Sequence, residues 1–331
     1  MAIPSSGALS FSDIQTEFGG SNPISISEYY AGGANVPSGT TGDNGAVPSS
    51  GTISISIFYG TQKVTRVAIT LTISADTNGY NIFNNRGGTY VAGESDITLV
   101  NNSNIYSTSS TALDTGTGWT AGDTITIDNN GLIVGHGGDG GNGSGVNSTT
   151  AGTTGGNGGA GYTAFNLQYD ITLDNTGGTI SGGSGGGGGG GASVVAETVK
   201  GGTNYYGATG GGGGAGRASA SGGSAGGGSA QNNTSYGSAG NASSITALGT
   251  GGAGGVETTP DPDAIGGAGG NGGANSASAG ANGANGTNGN TSAGGTGGAG
   301  GKAINLNGNS ITYTATGTIY GAVSWFYLEH L

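Results

Sequence analysis

Glycine falls in triplets along the second half of this chain. Residues 137–145 read GGDGGNGSG, 155–161 GGNGGAG, 266–274 GGAGGNGGA and 294–302 GGTGGAGGK. Weaker tracts lie at 182–191, 210–216, 222–228, 249–255 and 280–289. A period of three is the period of the extended polyproline II type helix, which rises about 3.1 Å per residue and makes no hydrogen bonds within itself. A GGX repeat leaves two edges of such a helix bare and one edge carrying side chains. Bare edges let neighbouring helices approach, and their unpaired N–H and C=O groups can bond laterally. Ordering each residue costs roughly 1–2 kcal/mol, while a lateral hydrogen bond returns about 0.5–1.5 kcal/mol. One tract alone therefore stays disordered, and order must be collective.

Composition closes the alternatives. Of 331 residues, 82 are Gly, 32% are hydrophobic and 7% charged, against roughly half apolar and a quarter charged in an ordinary globular domain. A conventional enzyme core is not expected for most of the chain. The net charge of -12 opposes phosphate, so nucleic acid is not a partner. There is no Cys, hence no disulfide and no thiolate metal site. No basic n-region with an apolar run opens the chain, and no stretch approaches 18 apolar residues, so an unanchored protein made in a cytoplasm is expected.

The fold class expected is mostly β plus non-regular structure: a platform of short strands carrying a polyglycine II bundle, with almost no α-helix. Residues 1–61 hold an imperfect repeat, IPSSGALSFS from Ile3 and VPSSGTISIS from Val47. Too little apolar content for a core of any size suggests an attachment segment, with SFSDIQTEF good for a turn or two of helix. Residues 62–135 form a β domain of about six strands. Residues 136–302 form the glycine-rich bundle, with a β insertion at 162–182, and 303–331 a C-terminal β segment. ITIDNNGLIVG from Ile125, ITLDNTGGTISG from Ile171 and INLNGNSITYTATGTIYG from Ile304 look like variants of one unit, stacked as rungs or hairpins of one platform. Up-and-down tracts send alternate loops to opposite ends. The nine tracts are odd in number, whereas return to the starting end before Ile304 needs an even number. Either one tract is miscounted or the last β segment sits at the far end.

The loops at 146–154, 192–209, 229–248 and 256–265 differ in composition from the tracts, and loops on a rigid frame are where binding resides. Tyr205, Tyr206 and Tyr236, with Asn204 and Asn232 beside them, are the expected binding residues, because an aromatic offers large amphipathic contact at small entropic cost. The bland alternative is that the tyrosines cover the flank of the bundle. No catalytic residue and no cofactor is expected. G-x-S-x-G at Ser184 and Ser224 arises by chance in glycine-rich sequence and lacks a partnering His. Glu257, Asp261 and Asp263 have oxygens for a hard cation but read more simply as a solvated, Pro-bounded turn. His136 reads as satisfying a local hydrogen bond, and no metal is expected.

The runs YNIF, ITLVNNSNIYSTS, ALDTGTGWTAGDTITIDNNGLIVGHGGDGGNG and TATGTIYGAVS, with SGALSFSDIQTEFGG and SGTISISIFYG near the N-terminus, resemble tailed-bacteriophage tail-fibre and tail-tip proteins over residues 1–61, 80–145 and 302–324. The glycine bundle with longer loops resembles the fibre-tip adhesins of T-even-like phages, from which residues 1–61 differ. The resemblance implies a virion protein that binds a polysaccharide or outer-membrane protein on the bacterial host through displayed loops, and joins other tail proteins through residues 1–61. A homotrimer and a single chain both fit. The alternatives are a purely structural tail or capsid-decoration protein, an ice-binding protein, which the mixed X positions oppose, and a polysaccharide depolymerase.

Overall fold

The computed structural model describes residues 3–63, 66–217, 220–245, 247–258, 263–273 and 277–324. The chain divides into two compact units, one of Met1–Ile69, Gly88–Asp96 and Thr120–Asp123, the other of Thr70–Gly87, Ile97–Trp119 and Thr124–Leu331.

The first unit has the core that its composition seemed to deny it. Ile3, Ile14, Phe18, Tyr29, Val36, Val47 and Phe58 are buried together. Three rings carry that core: Phe58 meets Phe18 and Tyr29 edge-on, at centroid distances of 6.0 and 6.3 Å. A few large aromatics bury as much area as many aliphatics, which a count of apolar residues misses. The helix Phe11–Phe18 is two turns long and opens with a capping box between Ser10 and Asp13, two orphan donors being satisfied reciprocally. Phe58 and Tyr29 each end a single 3₁₀ turn, Ile55–Phe58 and Ile26–Tyr29.

From Val67 to Ser324 the chain coils through three five-stranded sheets, visiting each in turn. The first contains Val67–Ile73, Ser95–Asn101, Thr124–Asn129, Ile171–Asp174 and Ile311–Ala315. The second contains Thr77–Asn78, Asn104–Tyr106, Leu132–Val134, Thr179–Ser181 and Thr318–Tyr320. The third contains Tyr80–Asn81, Leu113–Asp114, Phe165–Asn166, Ile304–Asn305 and Val323–Ser324. All pairs in the second and third sheets are parallel. The three sequence units expected as rungs or hairpins are thus rungs of a parallel solenoid, with Thr126 beside Thr172 and Ile171 beside Ile311. Eight strands, not six, lie between Val67 and Val134. Ile97, Leu99, Ile105, Leu113, Ile127, Ile133, Phe165, Leu173, Ile180 and Ile304 line the buried interior. A ladder of buried asparagines runs up one corner: Asn101 Nδ2 donates to Asn129 Oδ1 and Asn129 Nδ2 to Asn175 Oδ1, each at 2.7 Å.

Two insertions interrupt the solenoid at one corner, between the second and third sheets. One separates Val134 from Phe165 and the other Ser181 from Ile304. Among the described residues the first holds two glycine tracts, 137–145 and 152–161, and the second holds eight, 182–191, 209–216, 221–228, 237–243, 249–255, 266–273, 277–286 and 292–301, all joined by lateral main-chain bonds. The bonds advance three residues at a time on both partners. Gly138, Gly141 and Ser144 donate to Ser184, Gly187 and Gly190, a parallel register. Gly183, Gly186 and Gly189 donate to Tyr162, Gly159 and Gly156, an antiparallel one. Direction alternates strictly along the chain, so each insertion leaves the solenoid and returns to it. The parity problem is resolved by a tenth tract at 237–243, with only Gly237 and Gly240 to announce it.

The tracts that look weakest in sequence are central. Tract 182–191 bonds to six others, 137–145, 152–161, 209–216, 266–273, 277–286 and 292–301. Tract 209–216 also has six neighbours, 137–145, 182–191, 221–228, 237–243, 249–255 and 266–273. With a neighbour on every side, no X position is open to solvent, and GGX gives way to nearly continuous glycine. A Cβ on Gly190 would lie 1.9 Å from the Gly267 carbonyl oxygen. On the outer tracts the X side chains close the open edges: Asn157 Oδ1 accepts from Thr296 N, Asn271 from Gly251 N, Asn282 from Gly297 N and Asp139 from Ser221 N.

Candidate binding surface at the end of the bundle

Strict alternation puts five connecting segments at the end of the bundle away from the solenoid: 146–151, 192–208, 229–236, the described residues of 256–265 (256–258 and 263–265), and 287–291. They are hydrogen-bonded into one cap. The segment expected as a loop at 192–209 is a hairpin, Ser193–Val199 against Gly202–Ala208. Asn233–Ser235 adds to one edge in parallel and Asn290–Thr291 to the other edge antiparallel. Val256–Glu257 pairs with Ala264–Ile265, and Ile265 bridges to Thr287. Ala151 N donates to Asn290 Oδ1 at 2.8 Å, and Gln231 N to Ser148 O at 2.8 Å. Val146, Ala192 and Val194 are buried beneath the hairpin, with Val195, Ala208 and Ala264 in a second small cluster.

All five sequence-predicted residues stand in this cap, and four of them form one patch. Asn232 is committed to holding the cap together: its Oδ1 accepts from Tyr205 N at 2.8 Å and its Nδ2 donates to Asn204 Oδ1 at 3.2 Å. Tyr205 packs against the Val146 cluster, so its ring acts as cover. Tyr206 alternates to the other face of the strand, where Asn204 Nδ2 approaches its hydroxyl at 3.4 Å. Tyr236 stands apart and is 59% exposed. Val199 and Val256 are the other large exposed apolar side chains of the cap.

Three features of the cap differ from the sequence reading. The segment 229–248 is split by the tract at 237–243, so only 229–236 reaches the cap. Residues 287–289 fall within the tract expected at 280–289, but Asn288 and Gly289 have φ of 67° and 62°, the two left-handed residues that an Asn-Gly turn requires. Glu257 is 8% exposed and its Oε2 accepts from Asn233 Nδ2 at 2.8 Å; it is a buried strut of the cap, not part of a solvated turn. Asp261 lies outside the described residues, and Asp263 offers its main-chain oxygen to Asn288 Nδ2 at 2.6 Å. Ser184 is fully buried, with its Oγ accepting from Arg217 N.

A family model described as phage tail fibre adhesin Gp38 matches residues 68–324. No curated protein matches. Among solved structures, the chain is similar to the crystal structure of the gp37–gp38 adhesin tip complex of the bacteriophage S16 long tail fibre, at 20% identity and a TM-score of 0.44, covering 82% of this chain and 87% of that one.

Proposed function

The chain belongs to the phage tail fibre adhesin Gp38 family, and from that premise we propose that it binds a receptor on the bacterial host surface through the cap at the end of its glycine bundle. As a tail fibre adhesin it is a component of the virion tail. One observation supports the binding reading above the rest: five segments far apart in sequence are brought to one end and tied to one another, while the opposite end returns to the solenoid. Rigid frames with clustered variable connections are how folds build recognition surfaces. Exposed Tyr236, Val199 and Val256, with half-buried Tyr206 and Asn204 on the strand face opposite Tyr205, form the contact set. The threefold lateral bonding supports reading the tracts as polyglycine II helices, which make the frame stiff without a side-chain core. Residues 1–61 attach the chain to another tail protein, and the core around Phe58 makes that segment a preformed connector. The receptor is a host polysaccharide or outer-membrane protein, and the mechanism is binding, not catalysis.

Adsorption of purified protein to host cells tests this. Tyr206→Ala and Tyr236→Ala together are expected to weaken binding at least tenfold, since truncating a central aromatic anchor costs about 2 kcal/mol or more, with an unchanged melting temperature. Undiminished adsorption of the folded double variant refutes the assignment and favours a purely structural tail protein.

A further inference from the structure

A hollow lies on the flank of the bundle, away from the cap. Tracts 137–145 and 152–161 border a cavity of about 280 Å³, floored by glycines and lined by His136, Asp139, Ala160 and Tyr162. Its walls are fixed by the main chain: Tyr162 N donates to His136 O at 2.8 Å, Gly159 N to Asp139 O at 2.7 Å and His136 N to Ser110 O at 3.1 Å.

Three side chains there have unused capacity. Tyr162 is 48% exposed, so one side of its ring is open to a ligand. Its centroid lies 5.5 Å from the His136 ring, tilted by 44°. Asp139 is exposed, and among the described residues only its Oδ1 accepts hydrogen bonds, from Ser221 N and Oγ at 2.8 and 2.7 Å. That leaves Oδ2 open. His136 is 9% exposed and its Nδ1 is buried with no partner, contrary to the local hydrogen bond expected from sequence. Buried polar groups are nearly always satisfied, and the exceptions in native structures call for an explanation.

We propose that this hollow holds one pyranose ring of a neutral saccharide. A pyranose is amphipathic in the way the site is. Its apolar C–H face matches the exposed tyrosine ring, a large contact surface with a polar tip. Its equatorial hydroxyls match a carboxylate oxygen, a charge-assisted acceptor stronger than a neutral one. The glycine floor has no side chains to hold the sugar away from the main chain, whose groups add orienting polar contacts. A metal ion would want more oxygen ligands than the one free carboxylate oxygen supplies. An anionic sugar would be opposed by Asp139. The site is separate from the cap, so it stands or falls independently of the receptor-binding role assigned there.

Saturation-transfer NMR on the full chain with the methyl glycosides of glucose, galactose and N-acetylglucosamine tests the proposal, with choline as the competing cationic probe. Saturation of the ring protons of at least one glycoside is expected, with binding reduced at least tenfold in Tyr162→Ala and in Asp139→Ala. Ser221→Ala removes the hydroxyl bond to Oδ1 without touching Oδ2 and is expected to bind like the parent, which separates a lost sugar contact from a loosened flank. Saturation of none of the three glycosides, of choline alone, or equal saturation in Tyr162→Ala and the parent overturns the assignment.

Discussion

Replacing Gly188 by Ala tests directly whether the bundle is held by its main chain. Gly188 sits in central tract 182–191, donates to Ala281 O at 2.9 Å and accepts from Gly270 N at 2.8 Å. An added Cβ would lie 2.0 Å from Gly295 O and 2.5 Å from the Gly295 carbonyl carbon. Ordinary contact begins near 3.4 Å, so tract 292–301 must retreat by more than about 1 Å. That stretches the bonds from Ser292 N to Ala192 O, Gly295 N to Gly189 O and Gly298 N to Gly186 O, now 2.9, 2.7 and 2.8 Å, past useful length. Three bonds at about 0.5–1.5 kcal/mol each, less about 0.4–1 kcal/mol for the stiffer unfolded chain that Ala brings, leave a loss of about 0.5–4 kcal/mol. Gly227→Ala is the internal control. Gly227 has nothing within 4 Å of its added Cβ and does not have a positive φ, so there only the unfolded-state effect acts and a gain of about 0.4–1 kcal/mol is expected. Urea unfolding of the two variants, followed by circular dichroism, should give opposite signs. A Gly188→Ala protein as stable as the parent, or the same sign in both, would refute lateral main-chain bonding as the source of rigidity.

Two further outcomes follow from the solenoid. Asn129→Ala cuts the buried ladder on both sides and leaves the amide of Asn101 and the Oδ1 of Asn175 without their present partner, so a loss of about 2–4 kcal/mol is expected in the thermal or urea transition; a loss under about 0.5 kcal/mol would count against the ladder. Ser103 and Asn104 donate to Asp76 and hold its carboxyl below the usual carboxylate range, as Thr176 does for Asp174. A depressed folded pKa contributes stability that is present above the unfolded value and disappears as pH falls through the folded one. Carbon-detected NMR should therefore find both groups titrating below the ordinary Asp value of 3.8, and titration at or above that value in the folded protein would contradict the hydrogen bonds.

The bundle was legible because period three survives wherever one side of a tract faces water. It vanishes where there is no such side, which is why 182–191 and 210–216 look irregular although they are enclosed by six neighbours each. Tract 237–243 hides for a different reason: Ser238, Ala239 and Asn241 dilute it, and Asn241 is there to bond Thr250 Oγ1 across to the next tract. The rungs were legible as similar phrases, but not their stacking. Ile171 pairs with Ile311 across most of the glycine bundle, and nothing local in either phrase encodes a partner so distant. The aromatic core around Phe58 was missed because apolar fraction weighs a phenylalanine no more than an alanine. At the cap, Tyr236 is exposed whereas Tyr205 and Tyr206, which carry the same local signal, are both half-buried; strand alternation, visible only once the hairpin is known, places those two on opposite faces.

Because both excursions depart from and rejoin the same corner of the solenoid, the frame can be enlarged only by doublets. A lone extra pass would deliver the chain to the wrong end and leave the next rung unreachable, whereas an added outbound-and-inbound couple leaves every rung in register. Each such couple also contributes one new segment to the cap. Duplication within glycine-rich sequence, where recombination between near-identical repeats comes easily, therefore gives this lineage a route to widen what it touches without redesigning what it stands on.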